Sequence, residues 1–257
     1  MVINITSYCD MECSHCMNSC NKTNYIHMTE DIFSASLDFC KDHVILISGG
    51  EPTSHPDFGH FISIIRDRFK DNGNMIIITT NGEWILKNKD KARDIVNIDL
   101  NKSPMIFFQI TTDSRFYPRE IDINDPIFKE SGFELCVNPI QKVYPLGRAV
   151  ENNLADYNWK CSHCYNLRAL CSELSGINGF DEAVSVLESN FKFCTPMITP
   201  SGELVLGESI FCTPVGSIID DSKEELFNKI RNFTCKICED INKKSDFVSK
   251  NAIKWTS

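Results

Sequence analysis

Val44-Ile45-Leu46-Ile47-Ser48-Gly49-Gly50-Glu51-Pro52 decides the fold class. Val44 to Ile47 is a run of branched apolar residues, which reads as a short buried strand, and the Ser-Gly-Gly-Glu-Pro that follows breaks it into a loop. Both flanks of this stretch carry helical periodicity. Thr29 to Cys40 places Ile32, Phe33, Leu37 and Phe39 on one side; Asp57 to Phe69 spaces Phe58, Phe61, Ile62, Ile65 and Phe69 at three and four. Further out, Val2 to Thr6, Met75 to Ile78, Met105 to Thr111 and Phe133 to Val137 read as strands, and Lys87 to Ile95 as another helix. Strands alternating with helices predict parallel βαβ units, and continuous apolar runs suit a sheet covered on both faces. Barrels of this kind place their chemistry on loops leaving the C-terminal ends of strands, where every unusual motif of the first half lies.

Composition narrows the function classes. The chain has 257 residues and a net charge of −9, so the basic footprint of a duplex-binding protein is missing. No apolar run approaches ~18 residues, and the first residues lack the pattern of a signal peptide. The expectation is a soluble, cytoplasmic protein with no membrane contact. Thirteen cysteines, an odd number in a reducing compartment, point to metal ligation or catalysis before disulfides.

Three of them form Cys9-Asp10-Met11-Glu12-Cys13-Ser14-His15-Cys16. Random placement of the thirteen yields this triple about 0.03 times per chain, so the spacing carries information. Three thiolates on one short loop can hold three corners of a cubane iron-sulfur cluster, leaving the fourth iron for another ligand. The competing reading is a zinc site. It needs a distant fourth ligand, because His15 lies between two of the thiols and its side chain does not easily join them on one metal.

This loop after the first strand resembles the signature of the radical S-adenosylmethionine (SAM) superfamily. Gly49-Gly50-Glu51-Pro52 matches the family's glycine-rich segment, whose backbone carbonyls hold the methionine amino group of SAM. Thr79 to Gly82 is similar to a Thr-Asn-Gly ending after the third strand, and Thr111-Thr112-Asp113-Ser114 lies where the fourth strand supplies polar groups near SAM. The resemblance therefore implies SAM-binding roles for Gly49, Gly50, Glu51, Pro52, Asn81, Thr111 and Asp113, with Arg115 as a fork for the SAM carboxylate. The ordinary alternatives are a plain turn at Asn81-Gly82 and a surface arginine at position 115. His15 departs from the aromatic residue usual before the third cysteine. Pro145-Leu146-Gly147-Arg148-Ala149 is similar to a segment of members that carry extra clusters, with no role assigned.

In the C-terminal part, Met197-Ile198, a Thr199-Pro200-Ser201-Gly202 turn and Glu203 to Leu206 read as a hairpin, and Ser222-Lys223-Glu224-Glu225 as a capping box opening a helix through Ile230. Cys194 and Cys212 bracket the hairpin and Cys235-x2-Cys238 follows the helix. This order resembles the auxiliary-cluster module called twitch, related to SPASM, and implies a second 4Fe-4S cluster on these four cysteines. A four-cysteine structural zinc has the same ligand count. Cys161, Cys164 and Cys171 have metal-like spacing without an obvious fourth ligand. Cys40 and Cys136 read as small buried hydrophobes, Cys20 is unassigned, and His27, His43, His55 and His60 read as surface or satisfied histidines.

The expected architecture is α/β: a partial (β/α)6-type barrel over 1–150, a cysteine-containing connecting segment over 151–190, and a hairpin-plus-helix module over 191–257. The resemblance implies an enzyme that reductively cleaves SAM to a 5′-deoxyadenosyl radical and abstracts hydrogen from a substrate C–H bond, with an auxiliary cluster assisting oxidation. It also implies a flavodoxin or ferredoxin as reductant. In size and C-terminal cysteine spacing the chain is similar to twitch-bearing aminocyclitol dehydrogenases, then to peptide cross-linking enzymes; that resemblance implies a small molecule or a peptide as substrate, which no residue of the sequence identifies further. A non-enzymatic iron-sulfur electron carrier or a zinc-stabilised binding module is the alternative.

Overall fold

The computed structural model describes residues 1–99, 103–157, 174–189, 195–241 and 243–244. They fall into two compact units. The first comprises Met1–Ser14, Ser19–Gln141 and Ile198–Gly202; the second comprises His15–Asn18, Lys142–Met197 and Glu203–Ser257, as far as these are described.

The first unit is an open parallel sheet. Its strands are β1 (Val2–Asn4), β2 (Ile45–Ser48), β3 (Met75–Thr80), β4 (Met105–Thr112) and β5 (Phe133–Val137), ordered β5-β4-β3-β2-β1, with each neighbouring pair parallel. Such neighbours require crossovers, and these are α1 (Glu30–Phe39), α2 (Phe58–Arg68), and a pair, α3 (Glu83–Lys87) and α4 (Lys89–Ile95). Only a one-turn 3-10 helix at Pro126–Lys129 lies between β4 and β5. The α/β partial-barrel expectation holds, as a sheet that stays open rather than closing on itself.

Caps fix the helix ends close to where the sequence puts them. Thr29 caps α1 by accepting the Ile32 N–H, satisfying one of the four orphan donors of a first turn. The helix expected from Lys87 to Ile95 is present as α4, and an unexpected short helix, α3, precedes it; the two are separated at Asn88, whose φ of −136° and ψ of 47° are not helical. Its side-chain amide donates to the Trp84 carbonyl, which ends α3 one residue before α4 begins. Between α1 and α2, Phe33 and Phe61 stack with ring centroids 4.0 Å apart, and both are fully buried.

The faces of the sheet differ from expectation. In β3 and β4 buried and half-buried residues alternate: Ile76, Ile78, Ile106, Phe108 and Ile110 are buried, while Ile77, Thr79, Phe107, Gln109 and Thr111 are half-buried. One face is therefore core and the other is partly open. The polar residues Thr79, Gln109 and Thr111 sit on the open face because side chains alternate with period two.

The second unit holds α5 (Arg148–Glu151), α6 (Phe180–Ser189), an antiparallel pair β7 (Glu203–Val205) and β8 (Pro214–Ser217), and α7 (Lys223–Arg231). A short β6 (Met197–Ile198) precedes β7. The expected capping box is present: the Ser222 hydroxyl accepts the Glu225 N–H, and the Glu225 carboxylate accepts the Ser222 N–H at 2.8 Å. α7 packs against α6 and β8. Lys223 Nζ reaches Asp181 Oδ1 at 2.6 Å. Among the described residues no helix is long and apolar enough to cross a membrane.

Candidate functional site

The three-cysteine loop leaves β1 and is stitched to its neighbours before it reaches the first thiol. The Ser7 N–H donates to the Ile26 carbonyl at 2.9 Å, and the Cys9 N–H donates to Asn21 O at 3.3 Å. From the other side, the Gly50 N–H donates to Thr6 O at 2.7 Å and the Glu51 N–H to Tyr8 O at 2.8 Å. The glycine-rich loop after β2 thus runs directly against the backbone that presents Cys9. A Cβ on Gly50 would stand 2.2 Å from Tyr8 O and 3.0 Å from the Cys9 Cβ. Glycine is required here for that contact between two protein loops, whatever ligand lies beyond. Within the loop Met11 is buried as an anchor, and Glu12 takes a positive φ of 51°.

Glu51 is a buried carboxylate with all its bonding inside the chain. Oε1 accepts from the Thr53 N–H at 3.1 Å, the Thr53 hydroxyl at 2.6 Å and the Thr80 hydroxyl at 2.7 Å; Oε2 accepts from the Asn81 N–H at 2.8 Å. Burial raises its pKa, and these bonds oppose that shift. The side chain ties the end of β2 to the end of β3, and Pro52 opens the one-turn 3-10 helix that follows. Glu51→Gln is expected to destabilise the protein by about 2 kcal/mol, because an amide offers an acceptor on one side only while backbone donors face both oxygens. Urea unfolding checks this; stability equal to the parent would remove the strut.

Asn81 continues the same corner. Its Oδ1 accepts the Glu83 N–H at 3.0 Å, and its buried Nδ2 has no hydrogen-bond partner among the described residues. A buried donor of this kind suits an oxygen-bearing ligand, since leaving it unmatched costs about 1–3 kcal/mol.

The residues after β4 are engaged with one another. Both carboxylate oxygens of the buried Asp113 accept from Arg115, Nε to Oδ1 at 2.8 Å and Nη2 to Oδ2 at 2.6 Å, and Nη2 also donates to Ile140 O at 2.6 Å. The guanidinium holds the Asp113 carboxyl below the usual carboxylate range. Thr111 Oγ1 lies 3.0 Å from the Tyr117 hydroxyl. Burial pushes the Tyr117 pKa well up; its bond with Thr111 opposes this, and the charges of Cys13, Glu51 and Cys9 add to the rise. Tyr117, Gln109 and Arg119 escaped the sequence reading. Gln109 was detectable, because it shares the period-two face of Thr111; Tyr117 and Arg119 carry no local signature.

In the second unit, the Arg148 N–H donates to Cys16 O at 3.0 Å. Gly147, at a φ of 55°, sits where a Cβ would come within 2.6 Å of Met17 O and 2.7 Å of Cys16 O. The Pro145–Ala149 segment, which had no assigned role, is therefore a backbone support for the third cysteine. Cys212, Cys235 and Cys238 are buried. Cys194, Cys161, Cys164 and Cys171 lie outside the described residues. Among the described residues no three Cys, His, Asp or Glu side chains are grouped as ligands of one ion.

The remaining cysteines and histidines fall mostly where expected. Cys40 is fully buried and Cys20 buried, whereas Cys136 is half-buried. His55 is satisfied at both nitrogens: Nδ1 accepts the Asp57 N–H, so Nε2 carries the proton toward Met28 O at 3.0 Å. His60 pairs with Glu30 at the surface, His27 Nδ1 lies 2.8 Å from the Thr6 hydroxyl, and His43 is buried.

Comparison with known proteins bears on this arrangement. Residues 3–124 match the profile of the Radical SAM superfamily. Among solved structures, Streptococcus suis SuiB bound to the precursor peptide SuiA superposes with a TM-score of 0.52 at 16% identity, over 92% of this chain and 69% of that one. SuiB bound to S-adenosylmethionine gives a TM-score of 0.53 at 16% identity, over 90% and 67%. At this identity the likeness speaks for the fold alone. No curated protein sequence matches the chain. The Cys9–Cys16 loop and the Gly49–Pro52 segment both lie inside residues 3–124, the stretch of this chain that is similar to the radical SAM superfamily.

Proposed function

We propose that this chain is a radical SAM enzyme in which Cys9, Cys13 and Cys16 hold a 4Fe-4S cluster and the Gly49–Pro52 loop, Asn81 and the open face of β4 receive SAM. The observation that carries the reading is the direct stitching of the glycine loop to the backbone before Cys9, in a domain matched to the superfamily. Bound together, cluster and SAM supply a one-electron scission of a carbon–sulfur bond and the removal of a hydrogen atom from a substrate C–H bond. The chain's own residues do the positioning. Glu51 locks the β2 and β3 loops together, Asn81 Nδ2 offers a buried donor to the ligand, and Thr79, Gln109 and Thr111 line the half-buried face at the same strand ends.

Cys194, Cys212, Cys235 and Cys238 are the proposed ligands of an auxiliary 4Fe-4S cluster, supported by the burial of the last three. Among substrates a peptide is favoured over a small molecule, because SuiB, with the similar fold, is seen with a precursor peptide. A flavodoxin or ferredoxin is the proposed electron donor. The test is anaerobic reconstitution followed by dithionite and SAM. Formation of 5′-deoxyadenosine is expected; its absence from protein with a reducible cluster would make the chain an electron carrier instead.

A further inference from the structure

The segment after β4 reaches back to the cysteine loop at separate points. Asp113 O accepts the N–H groups of Phe116, at 3.0 Å, and Tyr117, at 2.9 Å, forming a tight turn that the Asp113–Arg115 pair closes. From that turn, Phe116 O accepts the Ser14 N–H at 3.0 Å and the Ser14 hydroxyl at 3.3 Å. Arg119 spans further: Nη2 donates to Asp10 Oδ2 at 2.8 Å, Nη1 to Asp10 O at 3.3 Å, and Nε to Glu83 Oε1 at 2.6 Å. Glu83 is itself fixed, as the first residue of α3, with Lys87 on its other oxygen at 3.3 Å. One guanidinium therefore grips both the side chain and the backbone carbonyl of the residue after Cys9 and anchors them to a helix. The hydrogen bonds of Ser14 pin the residue after Cys13 in the same way.

We propose that Arg119 is a positioning residue for the cluster loop: with the Phe116 carbonyl, it holds the backbone beside Cys9 and Cys13 in one arrangement before any metal is present. A loop with three residues between two thiols has many conformations, and only a few present both sulfurs to one cluster. Lysine does not substitute fully, since a point charge cannot engage the Asp10 carboxylate, the Asp10 carbonyl and Glu83 together. Loss of supporting partners at metal sites typically costs 10- to 100-fold in metal affinity, and the exposure of Arg119 puts the expectation at the low end, roughly tenfold. This inference rests on Cys9 and Cys13 being cluster ligands.

The experiment compares the parent with Arg119→Met and Arg119→Lys. In the apoprotein, iodoacetamide alkylation is followed peptide by peptide. In the reconstituted protein, loss of the SAM-responsive electron paramagnetic resonance signal to an iron chelator is timed. Arg119→Met is expected to speed alkylation of Cys9 and Cys13 and loss of the signal by roughly tenfold each, leaving Cys235 and Cys238 at parental rates, with Arg119→Lys between. Either rate unchanged, or all four cysteines rising together, overturns the proposal. Should Arg119→Met not fold, Glu83→Gln releases one arm of the clamp and is expected to raise the same two thiols by roughly threefold, with no rise as the contrary result. A parent that shows no SAM-responsive signal defeats the enzymatic reading; a parent that shows it beside an unaltered Arg119→Met defeats only the clamp.

Discussion

Replacing Cys9, Cys13 and Cys16 together by alanine is expected to leave a folded protein that forms 5′-deoxyadenosine no faster than a sample without reductant. The three side chains stand outside the parallel sheet, whose buried face is built from Ile76, Ile78, Ile106, Phe108 and Ile110, so the fold loses on the order of 1 kcal/mol per site. The proposed SAM cleavage is expected to be lost completely, because among the described residues no other short loop carries three cysteines. Far-UV circular dichroism and iron content, measured beside the product assay, separate the two effects. Parental turnover in the triple variant would place the reactive cluster elsewhere in the chain.

Gly50→Ala has the largest expected effect on the scaffold. Its new methyl would lie 2.2 Å from Tyr8 O and 2.6 Å from the Tyr8 carbonyl carbon, and both are backbone atoms that cannot swing aside. Overpacking typically costs 1–3 kcal/mol, and the rigid neighbours put this case at about 3. In a chain of this length that lowers Tm by roughly 6–12 °C. Gly59→Ala is the internal comparison: Gly59 lies in α2 with nothing within 4 Å of its Cβ position. It is expected to stabilise by about 0.5–1 kcal/mol, since alanine favours the helix that glycine weakens. Equal melting temperatures for the two variants would mean that the Gly50–Tyr8 contact does not constrain the loop.

How far the site was legible differs residue by residue. The cysteine spacing is a local property, so Cys9, Cys13 and Cys16 stood out at once, as did the glycine loop and the caps at Thr29 and Ser222. The reason for Gly50 did not stand out, because its constraint comes from Tyr8, forty-two residues away in sequence. Asp113 and Arg115 illustrate the opposite case. Their polarity was noticed, but their mutual pairing and the bond from Arg115 to Ile140 O became visible only in three dimensions. β8 was missed since Pro214 and Gly216 depress the strand signal at an edge, where both are tolerated.

Periodicity and spacing act between residues near in the chain, and they were enough to predict a parallel α/β sheet and to single out a three-cysteine loop after its first strand. Contacts between distant segments follow other rules. Sequence does not reveal that Glu51 ties β2 to β3, that Gly147 and Arg148 support the third cysteine, or that Arg119 grips Asp10 from the loop after β4. Those hydrogen bonds depend on distances of about 3 Å between atoms whose separation along the chain carries no pattern, so folding alone assigns them.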